Sequence, residues 1–161
     1  MSHNEKPDIE KLVEKNLNGG GSLDLENREL GDEGTVRLSN LEVLSKVTTL
    51  ALGDNEISDR GVAALCDSQY LSQLQVLNLK SNKITAEGAR LLAQSANWSN
   101  LDQLVLKFNE IGEEGAKHIA KSETLTNVTT LDLFRNHIGA EGARAIKTSP
   151  QFKKLSRVRL D

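Results

Sequence analysis

From Leu23 onward, the order of apolar and polar residues recurs every 27 positions. Leu23, Leu50, Leu77, Leu104, Leu131 and Val158 form one column. Leu25, Leu52, Leu79, Leu106, Leu133 and Leu160 form a second. Leu30, Ile57, Ile84, Ile111 and Ile138 form a third; Leu38, Leu65, Leu92, Ile119 and Ile146 a fourth; Leu44, Leu71, Trp98, Leu125 and Phe152 a fifth. A glycine keeps the same step at Gly34, Gly61, Gly88, Gly115 and Gly142. Self-similarity at a fixed period marks a solenoid, in which each unit contacts only its neighbours.

Within a unit the pattern predicts two elements. "VTTLALGDN", "LQVLNLKSN", "LDQLVLKFN" and "VTTLDLFRN" alternate apolar and polar residues, so each contains a short strand. The Asn is followed by a polar residue and then Ile, and next come helix-start signals. Ser58 and Thr85 suit a helix cap, and Gly112 and Gly139 are permissive there. Asp59, Glu87, Glu113, Glu114 and Glu141 fall in the first turn, where the helix dipole favours negative charge. Apolar residues then step by three, as in Val62 and Leu65 or Ala116 and Ile119, giving a short helix with one buried stripe. Glu87 with Arg90, Glu114 with Lys117 and Glu141 with Arg144 are spaced to pair on its solvent face. The recurring glycine implies a close approach, expected against the strand layer.

A strand, a turn and a helix of this size cannot bury their apolar faces alone. Stacked, they pair their strands in parallel and line up their helices behind. The expected fold is an α/β solenoid, a short arc with strands on the concave face and helices on the convex face. Residues 1–19 are expected to form an N-terminal helical cap, and residues 20–161 five repeats and a terminal half-repeat.

The pattern L-x-x-L-x-L-x-x-N-x-I-G-x-E-G-A-x-x-I/L-A resembles a leucine-rich repeat of the ribonuclease-inhibitor type. "LDQLVLKFNEIGEEGAKHIA" and "VTTLDLFRNHIGAEGARAI" carry the resemblance, which extends from Leu23 to Asp161. It implies a helix-backed horseshoe that binds other proteins through its concave face. Related repeats occur in GTPase-activating proteins for Ran, in innate-immune receptors and in proteins that bacteria deliver into host cells. No motif here carries over the Ran activator's specific concave residues.

The ends of the pattern depart from it. Arg28 stands where later repeats have Asn55, Asn82, Asn109 and Asn136. A buried Asn can satisfy turn backbone groups of neighbouring repeats, and the first repeat has no upstream neighbour to serve. Ile9, Leu12, Val13 and Leu17 lie at helical spacing after Pro7, and Leu17 falls in the Leu44 column, so this segment reads as a capping half-repeat. "NGGGS" then links it to the first strand. "LSRVRLD" reads as a strand with an open edge that Arg157 and Arg159 protect; pairing with a second copy is the alternative.

Composition narrows the function. Aromatic residues are 3 % of the chain, so the core is aliphatic. The net charge of −3 points to no nucleic-acid partner. The single Cys66 leaves no intramolecular disulfide or cysteine-built zinc site. No apolar run reaches the roughly 18 residues of a membrane span, and the first residues lack the apolar core of a secretory signal. A cytoplasmic location, or delivery into a host cell by a route not written in hydrophobicity, is expected.

Candidate chemistry gives way to structure at most places. "GEEGA" imitates a phosphate loop but recurs with the repeat and is followed by no Lys-Ser/Thr. Glu113 and Glu114, like Asp32 and Glu33, are adjacent and diverge on a helix, without calcium-loop spacing. Cys66, His118 and His137 lie in different elements that nothing orients as a nucleophile and base. No catalytic residue, cofactor or metal is expected, and the chain reads as a non-enzymatic protein-binding module.

The inward strand positions carry the specificity. They run from small and acidic at Asp24 and Glu26 to basic and aromatic at the other end. The candidate partner-binding residues are Lys80, Lys107, Phe108, Phe134, Arg135, Arg157 and Arg159. Two of the three Phe fall at positions read as exposed, Phe134 one strand from Lys107 and Phe108 one strand from Arg135, at strand spacing of about 4.8 Å. Aromatics flanked by cations make binding anchors, although the rings could simply shield the strand-to-turn junction. Two other classes fit the same scaffold: an effector or regulator acting on a host signalling protein such as a GTPase, and a unit that self-assembles through its last strand as a homodimer.

Overall fold

The structure, a computed structural model, describes residues 5–161. Helices and strands alternate along it: α1 Ile9–Asn16, β1 Ser22–Asp24, α2 Gly31–Ser39, β2 Thr49–Ala51, α3 Asp59–Asp67, β3 Val76–Asn78, α4 Ala86–Gln94, β4 Gln103–Val105, α5 Gly112–Ala120, β5 Thr130–Asp132, α6 Gly139–Lys147 and β6 Arg157–Arg159. Short 3-10 turns at Glu42–Lys46 and Ala96–Trp98 lead back from two of the helices. The six strands form one parallel sheet in chain order, β1 to β6. Leu23, Leu50, Leu77, Leu104, Leu131 and Val158 face one another across it. The sheet register is thus the sequence period. With the helices stacked behind, the architecture is an α/β solenoid arc.

The apolar columns form one continuous core. Leu50, Leu77, Leu104, Leu52, Leu79, Leu106, Leu44, Leu71, Trp98 and Leu125 are fully buried. Val158 breaks its column at 38 % exposure, because β6 has a strand on one side only among the described residues. Burying one such side chain contributes about 1.5–3 kcal/mol, and no single unit could bury its own.

Polar ladders hold the turns. Asn55 Oδ1 accepts from the backbone N–H of Arg28 and of Leu30 in the preceding repeat, and its Nδ2 donates to the carbonyls of Leu25, Leu52 and Gly53. Asn82 serves Asn55 and Ile57 in the same way, Asn109 serves Ile84, and Asn136 serves Ile111. Each Asn therefore completes the turn upstream of its own, which is why Arg28 can replace it in the first repeat. Asp161 serves the same groups of the fifth repeat, accepting from Asn136 N–H at 3.0 Å and Ile138 N–H at 2.8 Å.

A second ladder joins the helix starts. Asp32 Oδ1 accepts from the Ser58 and Gly61 N–H groups and Oδ2 from the Ser58 hydroxyl. Asp59 binds Thr85 and Gly88 identically. These carboxylates satisfy orphan donors of the next helix, beyond their expected role in their own first turn. The ladder stops there. The next positions are Ala86, Glu113 and Ala140, and Glu113 pairs instead with Lys117.

The recurring glycine faces these helix starts and not the strand layer, which corrects the sequence expectation. A Cβ on Gly88 would meet Asp59 Oδ1 at 2.4 Å and Ile84 Cγ2 at 2.6 Å, and one on Gly115 would meet Ile111 Cγ2 at 2.4 Å and lie 3.1 Å from Ala86 Cα. The space is taken by the Ile that precedes the same helix and by the helix of the preceding repeat. At the N-terminus, α1 is capped by Asp8, which accepts from Lys11 N–H at 3.1 Å, and Ile9 and Val13 are buried in the core. Asn18 Oδ1 accepts from Gly20 and Ser22 N–H and tightens the link to β1.

Candidate functional site

The sheet face turned away from the helices is built in rungs, because side chains on successive residues of a strand point to opposite sides. Asp24, Ala51, Asn78, Val105, Asp132 and Arg159 share one rung, and Thr49, Val76, Gln103, Thr130 and Arg157 lie on the rung before it. Two clusters stand on this face, one at each end.

At the early end, Lys80 Nζ lies 2.9 Å from Glu26 Oε2. The two residues are two repeats apart, and Gly53 lies between them. A Cβ there would meet the Lys80 Cγ and Cε at 2.8 Å, so the glycine leaves the channel through which the lysine stem passes. Asn78 Nδ2 donates to Glu26 Oε1. The hydrogen bond that the Lys80 ammonium donates to Glu26 holds the Lys80 pKa above its ordinary value. Lys80 is therefore engaged in the acidic end of the face and is not joined to the aromatic cluster.

At the late end, Phe108 and Phe134 meet edge to face, with centroids 6.0 Å apart and planes at 79°. Lys107 Nζ lies 6.0 Å from the Phe108 centroid; Arg135 and Arg159 lie 5.5 and 5.0 Å from that of Phe134. Each ring takes the cation beside it in sequence, and Phe134 also takes Arg159 from the next strand; the expected pairs of Phe134 with Lys107 and of Phe108 with Arg135 do not form. Phe108 and Arg135 both have left-handed backbone, at φ 59°, which breaks the strand alternation that would part sequence neighbours. Phe108 is 47 % exposed, while Phe134 is half-buried rather than exposed. Asp132, itself buried, accepts from Phe134 N–H at 3.1 Å and lies 3.6 Å from the Arg159 guanidinium. Arg159 is thus held between a carboxylate and a ring. Arg157 is exposed on the neighbouring rung. The role of Asp132 was not foreseen, since in sequence it is one more polar strand residue.

The other candidate groups stay apart. Cys66 is half-buried in α3, and burial pushes its thiol up to about 12, far from a thiolate nucleophile. His118 is in α5 and His137 in the turn before α6. Glu113 and Glu114 both pair with Lys117. No group of three or more His, Cys, Asp or Glu is placed to hold a metal ion among the described residues, and no described helix is long and apolar enough to cross a membrane.

The family model for the leucine-rich repeat matches residues 43–66, 71–93, 99–120 and 124–147. The chain belongs to the leucine-rich repeat family. The helix behind every full repeat is the form that the ribonuclease-inhibitor-type resemblance implied. Among solved structures, this leucine-rich repeat chain is similar to the tropomodulin C-terminal domain of Caenorhabditis elegans, at 17 % identity and a TM-score of 0.64, over 92 % of this chain and 93 % of that one. That likeness is one of fold. An internalin of Listeria monocytogenes matches at 25 % identity and a TM-score of 0.45, over 74 % of this chain and 36 % of the internalin. No curated protein matches the sequence. Leucine-rich repeats generally mediate protein–protein interaction, and none of the residues above departs from that role.

Proposed function

We propose that this chain is a non-enzymatic protein-binding module whose partner contacts the strand face around Phe108 and Phe134. The backbone of Phe108 carries the reading. Its column is Asn27, Asp54, Ser81, Phe108 and Arg135, all left-handed at φ 53° to 59°. Asn and Asp tolerate that conformation, whereas a bulky aromatic there is a strained outlier. A large apolar ring held in a costly conformation and left half in solvent gains nothing for the fold alone. Aromatic and arginine side chains are also the groups that dominate binding hot spots.

Phe108→Asn tests the reading, since it puts a favoured residue at the strained position. The variant should be as stable as the parent or more so, by about 0.5–1 kcal/mol. A protein that the parent captures should be lost by Phe108→Asn and by Phe134→Ala with Arg135→Ala. If both variants retain it, the aromatic end is not the contact surface.

Self-assembly through β6 is the second reading, favoured by the exposed Val158. A two-fold antiparallel pair centred on Val158 would set Arg157 of one copy opposite Arg159 of the other, and like charges directly opposed destabilise a pair. Light scattering at rising concentration decides between the two: a dimer favours self-assembly, a strict monomer the hetero-partner.

A further inference from the structure

Charge is divided along the arc. Residues 1–100 carry ten Lys and Arg against fifteen Asp and Glu, whereas residues 101–161 carry ten against eight. Pairing sharpens the division. In residues 1–100, Lys6, Lys11, Arg37, Lys80, Lys83 and Arg90 each have a carboxylate within 4 Å, whereas in residues 101–161 only Lys117, Arg144 and Arg159 do among the described residues. Lys107, Arg135 and Arg157 have none among the described residues, and Arg159 has only Asp132 at 3.6 Å. Lys107, Arg135 and Arg159 thus flank one aromatic pair, and Arg157 stands on the next rung of the same face.

Their spacing has a period. Arg157 and Arg159 are two residues apart on β6 and point to the same side, so their Cα atoms are separated by about 6.6 Å along the strand. An extended chain carries side chains on one side with that same spacing. A carboxylate at every second position of such a chain would meet both guanidinium groups, each able to take a carboxylate through two N–H donors. The exposed Phe108 ring lies beside the half-buried Phe134, which Arg159 flanks, and offers an apolar seat for the next side chain of the segment.

We infer that the partner presents an extended acidic segment, with Asp or Glu at alternating positions next to an aromatic or aliphatic residue, to Arg157, Arg159 and the Phe108–Phe134 pair. The inference rests on the protein-binding reading above and adds the chemistry of the partner. Single-stranded nucleic acid also combines negative charge with stacking rings. It is disfavoured because the acidic early end of the same face, with Asp24 and Glu26, would repel a backbone charged at every unit.

The test uses the full chain and synthetic probes. One peptide alternates glutamate with valine and carries a single tryptophan; a control peptide of equal composition groups its glutamates in a block; a third probe is a single-stranded oligonucleotide of equal charge. Fluorescence titration should show the alternating peptide binding about tenfold more tightly than the block peptide and the oligonucleotide. Arg157→Glu with Arg159→Glu should weaken it at least tenfold, and added salt should weaken it progressively. Equal binding of alternating and block peptides, preference for the oligonucleotide, or indifference to the double charge reversal overturns the inference. The protein-binding reading fails separately, through a captured partner that Phe108→Asn does not release. If the alternating peptide does not bind while Phe108→Asn still loses the captured partner, the partner is a protein of other chemistry and only this inference falls.

Discussion

Lys80 reaches Glu26 across two strands, at 2.9 Å, because Gly53 between them has no side chain. The pair is about one-quarter exposed, so its worth is at most about 1 kcal/mol. Gly53→Ala should displace the lysine stem and lower stability by that amount, with Lys80→Met as a control that removes the pair directly. The pH dependence has a definite sign. Glu26 raises the Lys80 pKa, so the stabilisation is complete below the ordinary lysine range and fades as pH climbs through the raised value. Urea unfolding of parent and Gly53→Ala should therefore converge at strongly alkaline pH.

Asn55→Ala should be among the most damaging single changes. It would leave the N–H groups of Arg28 and Leu30 and the carbonyls of Leu25, Leu52 and Gly53 without their partner in a buried turn. The expected loss is about 3 kcal/mol in urea unfolding. Arg28→Ala occupies the same column and should cost less than about 0.5 kcal/mol, since among the described residues its side chain hydrogen-bonds only Asn16 of α1.

Asp59→Ala removes the acceptor of Thr85 N–H, Thr85 Oγ1 and Gly88 N–H. A lost cap costs about 1–2 kcal/mol. The place of the damage separates the two roles of this residue. Hydrogen exchange should accelerate at the start of α4, which receives the carboxylate, more than within α3, which carries it.

Asp161 gives acid sensitivity. Partial burial pushes its pKa up, but the donors Asn136, Ile138 and Arg135 outweigh this and leave it below the ordinary value. Its contribution is present above the usual aspartate range and is lost as pH falls through the lowered value. Asp161→Ala should weaken the chain by less than about 1 kcal/mol at neutral pH and make no difference once the parent carboxylate is protonated. Thermal unfolding across the acid range measures both.

The period alone was enough to place every strand and every full-repeat helix, because the same core columns recur at one step and the register of the sheet is that step. The Asn ladder was legible for the same reason, being a column with one exception at Arg28. The function of the recurring glycine was not, since a column shows that space is short without showing what fills it: Asp59 and Ile84 for Gly88, Ile111, Ala86 and Ala89 for Gly115. The Lys80–Glu26 pair could have been read from Gly53 standing between them in one column. The partners of Phe108 and Phe134 could not, because strand alternation ends at the left-handed residue and the pairing of rings and cations follows the turn.

The two ladders run in opposite directions, Asn55 and Asn82 serving the repeat before them, Asp32 and Asp59 the repeat after. Junctions in the early arc are therefore clasped from both sides, whereas those after α4 keep only the backward set. In place of the forward set, small residues stand against each other there: Ala86 and Ala89 against Gly115, and Ala116 against Gly142. The early arc is thus joined by directional hydrogen bonds and the late arc by close contact between helices. The spacing of the helices behind Phe108 and Phe134 is set by the small size of these residues, so enlarging any of them should shift the contact face itself.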